Sequence, residues 1–118
     1  MDQASPNLSI EVVEDITIAT LTDEKILEEA QIQALESSFI PLIEQNSPLT
    51  LLIDFSSVQF LTSSVLGLLI RVSKKIYEAD GRLGLCSIQP KIFEIFKITR
   101  LDKIFEIYTN RQEAMEKL

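Results

Sequence analysis

Apolar Leu8, Ile10 and Val12 alternate with Ser9 and Glu11, and beyond Glu14-Asp15 the alternation resumes at Ile16 and Ile18 around Thr17. A two-residue period marks β-strands, so this stretch predicts two short strands joined as a hairpin. The period then changes. Between residue 28 and about residue 45, apolar side chains recur at Ile32, Leu35, Phe39 and Leu42, spacings of three and four that define one face of a helix. Pro41 removes one backbone donor, so a kink in the last turns or an early end is expected there.

Leu49-Thr50-Leu51-Leu52-Ile53 is a nearly continuous apolar run closed by Asp54, the pattern of a strand covered on both faces and hence central in its sheet. Residues 55–61 read as a connector with apolar anchors. Thr62-Ser63-Ser64 precede a helix with apolar positions at Val65, Leu69, Val72, Ile76 and Ala79, and Gly81 is placed to end it as a left-handed residue. Residues 82–88 alternate as a strand. Pro90 then stands where a helix's first turn tolerates a missing donor, ahead of Ile92, Phe93, Ile95 and Phe96. Helical spacing makes burial of these four the simpler expectation, although an exposed docking patch is the other reading. Residues 104–108 read as a final short strand, and Asn110 with Glu113 has the capping-box spacing that opens a last helix.

The order is ββαβαβαβα. Strands separated by helices imply parallel neighbours and right-handed crossovers, so the expected fold is a small mixed α/β sheet with an N-terminal hairpin and helices packed on it. Sites in such open sheets form outside the carboxyl ends of the strands, which selects residues 54–64 and the Asp23-Glu24 pair.

With 118 residues, 46% of them hydrophobic, the chain suffices for one core, and a single domain over residues 1–118 with a flexible terminus at 1–7 is expected. Eleven basic against 18 acidic residues give a net charge of −7, which disfavours a nucleic-acid partner. Histidine is absent, which removes the usual proton shuttle, the histidine-dependent nucleophile systems and most zinc sites. The only glycines, Gly67, Gly81 and Gly84, cannot write either common phosphate-binding loop. No catalytic residue, metal or cofactor is expected, and the chain does not read as an enzyme. Cys86 lies in an apolar stretch without a second cysteine to pair with, which fits a reducing cytoplasm. The longest apolar run, residues 65–70, is far too short for direct membrane insertion.

Chemistry is left to few groups. Thr62, Ser63 and Ser64 bring three consecutive hydroxyls to a predicted helix start, where unpaired backbone donors and the positive end of the dipole welcome an anion. The simpler role for Thr62 or Ser63 is a helix cap. Asp54 is either a functional carboxylate or the acceptor of a local turn, and Asp23-Glu24 either part of a binding surface or residues with a helix-start or loop role, the simpler reading.

Residues 52–67, Leu-Ile-Asp-Phe-Ser-Ser-Val-Gln-Phe-Leu-Thr-Ser-Ser-Val-Leu-Gly, resemble the STAS family, the domain of bacterial anti-sigma factor antagonists and sulfate transporter tails. That family shows an apolar strand ending in Asp, a short connector and Asp-Ser-Ser/Thr-Gly-Leu-Gly opening a helix. Residues 81–83 and 92–105 are similar to its later helix-strand pattern. This sequence departs from the motif at Thr62, which replaces the aspartate, and at Val65, which replaces the first glycine and whose β-branch resists positive φ.

The resemblance implies a protein-interaction switch. In antagonists of this family the unmodified domain binds an anti-sigma factor that is a serine kinase with a histidine-kinase-like ATPase fold, and so frees a sigma factor. Phosphorylation of one serine breaks that complex and a serine phosphatase restores it. Aligned on the motif, the serine is Ser63, with Thr62 and Ser64 as lesser candidates. The partner-binding positions so implied are Asp23, Asp54, Thr62, Ser63, Ser64, Val65 and Leu66. Other STAS domains serve without phosphorylation as subunits of transport complexes or as signalling scaffolds.

Overall fold

The computed structural model describes residues 7–118; of the terminus expected to be flexible, residues 1–6 lie outside the described residues. Alternation at the start of the chain becomes β1 (Leu8–Val13) and β2 (Ile16–Leu21), paired antiparallel from Leu8↔Leu21 to Val13↔Ile16. Glu14 and Asp15 between them both have positive φ, 51° and 71°, so the hairpin closes through a two-residue turn whose twist matches its strands.

The chain continues through β3 (Lys25–Ile26), α1 (Glu29–Gln45), β4 (Thr50–Asp54), β5 (Phe60–Leu61), α2 (Ser63–Glu78), β6 (Arg82–Cys86), α3 (Pro90–Ile98), a 3₁₀ turn (Leu101–Lys103), β7 (Glu106–Tyr108) and α4 (Arg111–Lys117). The main sheet has the order β1-β2-β4-β6-β7, and every pairing after the hairpin is parallel. β4 is therefore central, as its unbroken apolar run predicts. Alternate residues of β4 serve different layers. Leu51 and Ile53 join the core built with Leu35 and Phe39 of α1 and Val72 of α2, while Leu52 packs with Ile18, Cys86 and Ala114 under α4.

Several expectations are corrected. Pro41 does not end α1, which runs on to Gln45. Pro41 and Ser37, whose carbonyl its missing N–H would have met, are both exposed, while Phe39 and Ile43 are buried on either side of it. Water can serve the freed carbonyl, and packing holds the last turns. Gly81 is not the left-handed residue after α2. Asp80 is, at φ 62°, with the Asp80 N–H donating to the Tyr77 carbonyl at 3.2 Å and the Gly81 N–H to the Ile76 carbonyl at 2.8 Å, the hydrogen-bond pair of a Schellman motif. Gly81 is needed for space, since a Cβ there would stand 2.2 Å from the Leu49 carbonyl oxygen.

The strand beginning at Arg82 stops at Cys86, and Ser87 follows with φ 60°. The last strand starts only at Glu106, because residues 101–103 form the 3₁₀ turn that buries Leu101. Of the four apolar residues of α3, Ile92 and Phe96 are buried, Phe93 is half-buried and Ile95 is exposed. The first two face the core, and the nine-residue helix is too narrow to bury all four on a single-sided contact. Asn110 caps α4 as its spacing predicts, its Oδ1 accepting from the Glu113 N–H at 2.8 Å. The Glu113 carboxylate reaches one residue further back than a capping box requires, to the Thr109 N–H.

Candidate functional site

The carboxyl end of β4 leads to the site. Period-two alternation puts Asp54 on the same side as Leu52, toward α4, and there it is only 5% exposed. Its Oδ1 accepts from the Ser56 N–H at 2.8 Å, an Asx turn that starts the connector. Its Oδ2 accepts from Arg111 Nη2 at 3.0 Å, and the same guanidinium reaches Thr20 Oγ1 at 3.2 Å and Glu11 Oε1 at 3.2 Å. Both Asp54 oxygens thus have partners within the chain.

The connector is anchored by Phe55 and Val58, both fully buried. It is then pinned to the segment after β2. The N–H groups of Gln59 and Phe60 donate to the Glu24 carbonyl at 2.8 and 3.1 Å, β5 pairs parallel with β3 in the register Lys25↔Phe60 and Ile26↔Leu61, and the Thr62 N–H donates to the Ile26 carbonyl at 3.3 Å. Sequence periodicity did not reveal this two-stranded clip, because two residues per strand carry no readable period. The third apolar residue of the connector, Phe60, is no anchor and stays 43% exposed.

At the end of the clip α2 begins. Ser63 and Ser64 are exposed and Val65 and Leu66 are buried in the core. Thr62 has the extended backbone of a cap, φ −97° and ψ 167°, but no side-chain oxygen caps the helix. Thr62 Oγ1 is enclosed without a hydrogen-bond partner. The first-turn donors of a 16-residue helix therefore lie beside two exposed hydroxyls without a side-chain acceptor. Val65 has an ordinary helical backbone and is not among the residues of positive φ, so its β-branch meets no strain. Gly67 also lacks positive φ, and a Cβ on it would meet nothing nearer than Arg71 Nη1 at 3.6 Å.

Asp23 is half-buried, and its Oδ2 accepts from Gln31 Nε2 at 3.1 Å. It precedes the β3–β5 clip whereas Ser63 follows it, and the clip is parallel, so the chain beyond Ile26 runs beside Thr62 and Asp23 stands toward the other end. The structure thus gathers Thr62, Ser63 and Ser64 at one edge, turns Asp54 inward to Arg111, and sets Asp23 apart. Among the described residues no group of three or more cysteine, aspartate and glutamate side chains is placed to hold a metal ion.

Comparisons with known proteins agree with this architecture. BtrV of Bordetella bronchiseptica is 23% identical over 107 residues, covering 91% of this chain and 90% of that one. The solved anti-sigma-factor antagonist (STAS) domain protein of Planctomyces limnophilus is 27% identical and superposes with a TM-score of 0.83 over 91% of this chain and 93% of its own. The Bacillus cell fate determinant SpoIIAA, solved in its phosphorylated form, shares the fold at 19% identity, with a TM-score of 0.71 over 93% and 97% of the two chains. The STAS domain model matches residues 7–114, and the chain belongs to the STAS domain family.

Proposed function

We propose that this protein is an anti-sigma factor antagonist, a binding switch without catalysis of its own, turned off by phosphorylation of Ser63. The observation that carries the reading is the exposed Ser63 hydroxyl on the first residue of α2, whose amino end no side chain caps. A phosphate there adds roughly −1.5 to −2 charges at pH 7. Local N–H donors can receive that charge, but a partner docked over it must desolvate a dianion, and the complex weakens. The P. limnophilus relative supports the antagonist role by its name, and SpoIIAA is a protein of this fold that carries phosphate.

In this reading the partner is an anti-sigma factor that is itself a serine kinase of histidine-kinase-like ATPase fold, and a serine phosphatase resets the switch in the cytoplasm. Among the described residues no helix is long and apolar enough to cross a membrane. Partner contacts fall on Ser63, Ser64, the exposed part of Thr62 and, further off, Asp23. Val65, Leu66 and Asp54 act from beneath by holding the helix start and the connector in place.

Mass spectrometry of protein from its native host, under growth and under stress, tests the reading. A phosphate confined to Ser63 with condition-dependent occupancy is the expected result, with Ser63→Ala retaining kinase binding and Ser63→Asp and Ser63→Glu losing it. If Thr62, Ser63 and Ser64 carry no phosphate in any condition and all three variants bind alike, the domain is a constitutive subunit.

A further inference from the structure

Beside the clip lies a cleft of ≈ 330 Å³ lined by Leu27, Gln59, Phe60, Leu61, Lys91, Ile92 and Ile95, the last three from α3. Three large apolar side chains from three separate segments are exposed along it: Leu27 at 49%, Phe60 at 43% and Ile95 at 36%. Burying surface of this kind favours association, and an aromatic ring at its centre is the usual energetic anchor.

The charges around the ring are unusual for this chain. Lys91 Nζ stands 3.7 Å and Lys25 Nζ 5.5 Å from the centroid of Phe60. Neither lysine forms an ion pair among the described residues, although acidic residues outnumber basic ones by 18 to 11. The carboxylates nearest them in the sequence do not neutralise them. Asp23 is taken by Gln31, Glu94 by Lys97, and Glu24 and Glu28 pair with neither lysine.

We infer that this cleft receives an apolar segment of the partner that carries a carboxylate, its apolar side chains against Leu27, Phe60 and Ile95 and its carboxylate between Lys25 and Lys91. The inference rests on the antagonist reading, and it extends the interface from the start of α2 across the β3–β5 clip to α3. Desolvation strengthens both the cation–π contacts and the new ion pairs as the segment docks. Leu61 lines the cleft and Ser63 follows it by two residues, so a seated segment lies next to the hydroxyl that phosphorylation would charge.

The test places a benzoylphenylalanine photocross-linker at position 60 in one full-length variant and at position 64 in another, both expressed in the native host. Both positions are expected to capture the same ATPase-domain kinase, and the peptide joined to position 60 to hold an aspartate or glutamate beside apolar residues. Purified Lys25→Glu/Lys91→Glu protein is expected to bind that kinase at least about tenfold more weakly than wild type, with a smaller difference at high salt. Capture of the kinase from position 64 but not from 60, a peptide without an acidic residue, capture of a lipid or nucleic acid at 60, or unchanged affinity of the double variant each overturns the cleft's assignment and leaves the antagonist reading standing. If neither position captures a kinase, both fall together.

Discussion

Arg111, in the last helix, donates to the Asp54 carboxylate at 3.0 Å, closing a contact between residues 57 apart in the chain. One aspartate thereby serves two elements. Its other oxygen starts the connector through the Ser56 N–H, so the C-terminal helix and the chain leading to Ser63 are fastened to the same point at the end of the central strand.

Replacing Arg111 leaves a nearly buried carboxylate without its cation. Arg111→Met is expected to lower the unfolding free energy by about 2–4 kcal/mol, measured by urea denaturation. Adding Asp54→Asn to that variant should restore part of the loss, because the stranded charge is then gone. An Arg111→Met protein as stable as wild type would mean that water already solvates Asp54.

Gly67 sits inside α2 with room for a methyl group. Gly67→Ala should raise the unfolding free energy by about 1 kcal/mol, since alanine loses less backbone entropy in a helix. Gly67 lies four residues after Ser63 and so on the same face, and, on the proposed antagonist reading, the added methyl is expected to weaken binding of the proposed kinase partner while it stabilises the fold. Calorimetric titration and denaturation of the same variant read the two effects separately.

Glu106 titrates below the ordinary glutamate value. Burial pushes its carboxyl up, but hydrogen bonds from Arg82, Tyr108 and Tyr77 and the charge of Arg82 more than offset that. A carboxylate depressed on folding stabilises the protein above its unfolded pKa, and that contribution disappears as pH falls through the folded value. The stability gap between wild type and Glu106→Gln should therefore be full at neutral pH and shrink as pH falls below about 4.3, the unfolded glutamate value. Urea midpoints measured across that range check it; a gap that does not change with pH would assign the loss to packing.

Burial, aided by the charge of Asp54, pushes the Cys86 thiol up to about 11. At pH 8 the folded protein should react with a thiol reagent at least about tenfold more slowly than the urea-unfolded chain, because the thiolate is the attacking species and the sulfur is enclosed. Equal rates would contradict the placement of Cys86 under α4.

How far the chain could be read from its residues depended on the range of the interaction. Asn110 was identifiable as a cap because its acceptor and the Glu113 N–H are three residues apart. The Asx turn at Asp54 spans two residues and was open to the same reasoning. Arg111 gave no such signal, since nothing local distinguishes an arginine that will meet an aspartate across the sheet from one left in water. Conformational preference alone puts Gly81 at the left-handed position after α2, but Asp80 takes it because the neighbouring residue must clear the Leu49 carbonyl, a contact 32 residues away in the chain.

The site divides in the same way. Hydrophobic period and the hydroxyl run were enough to set the order of the main sheet's strands and the helices between them, the central strand and Ser63 at a helix start, since these follow from local spacing and from which faces must leave water. Which of the motif's side chains reach the surface was decided by packing: the sheet turns Asp54 inward, the core takes Val65 and Leu66, and the parallel clip separates Asp23 from Ser63. The exposed Phe60 with Lys25 and Lys91 against its ring exists only because three distant segments converge, and exposure is a property of what surrounds a residue, which no pattern of neighbours in the chain encodes.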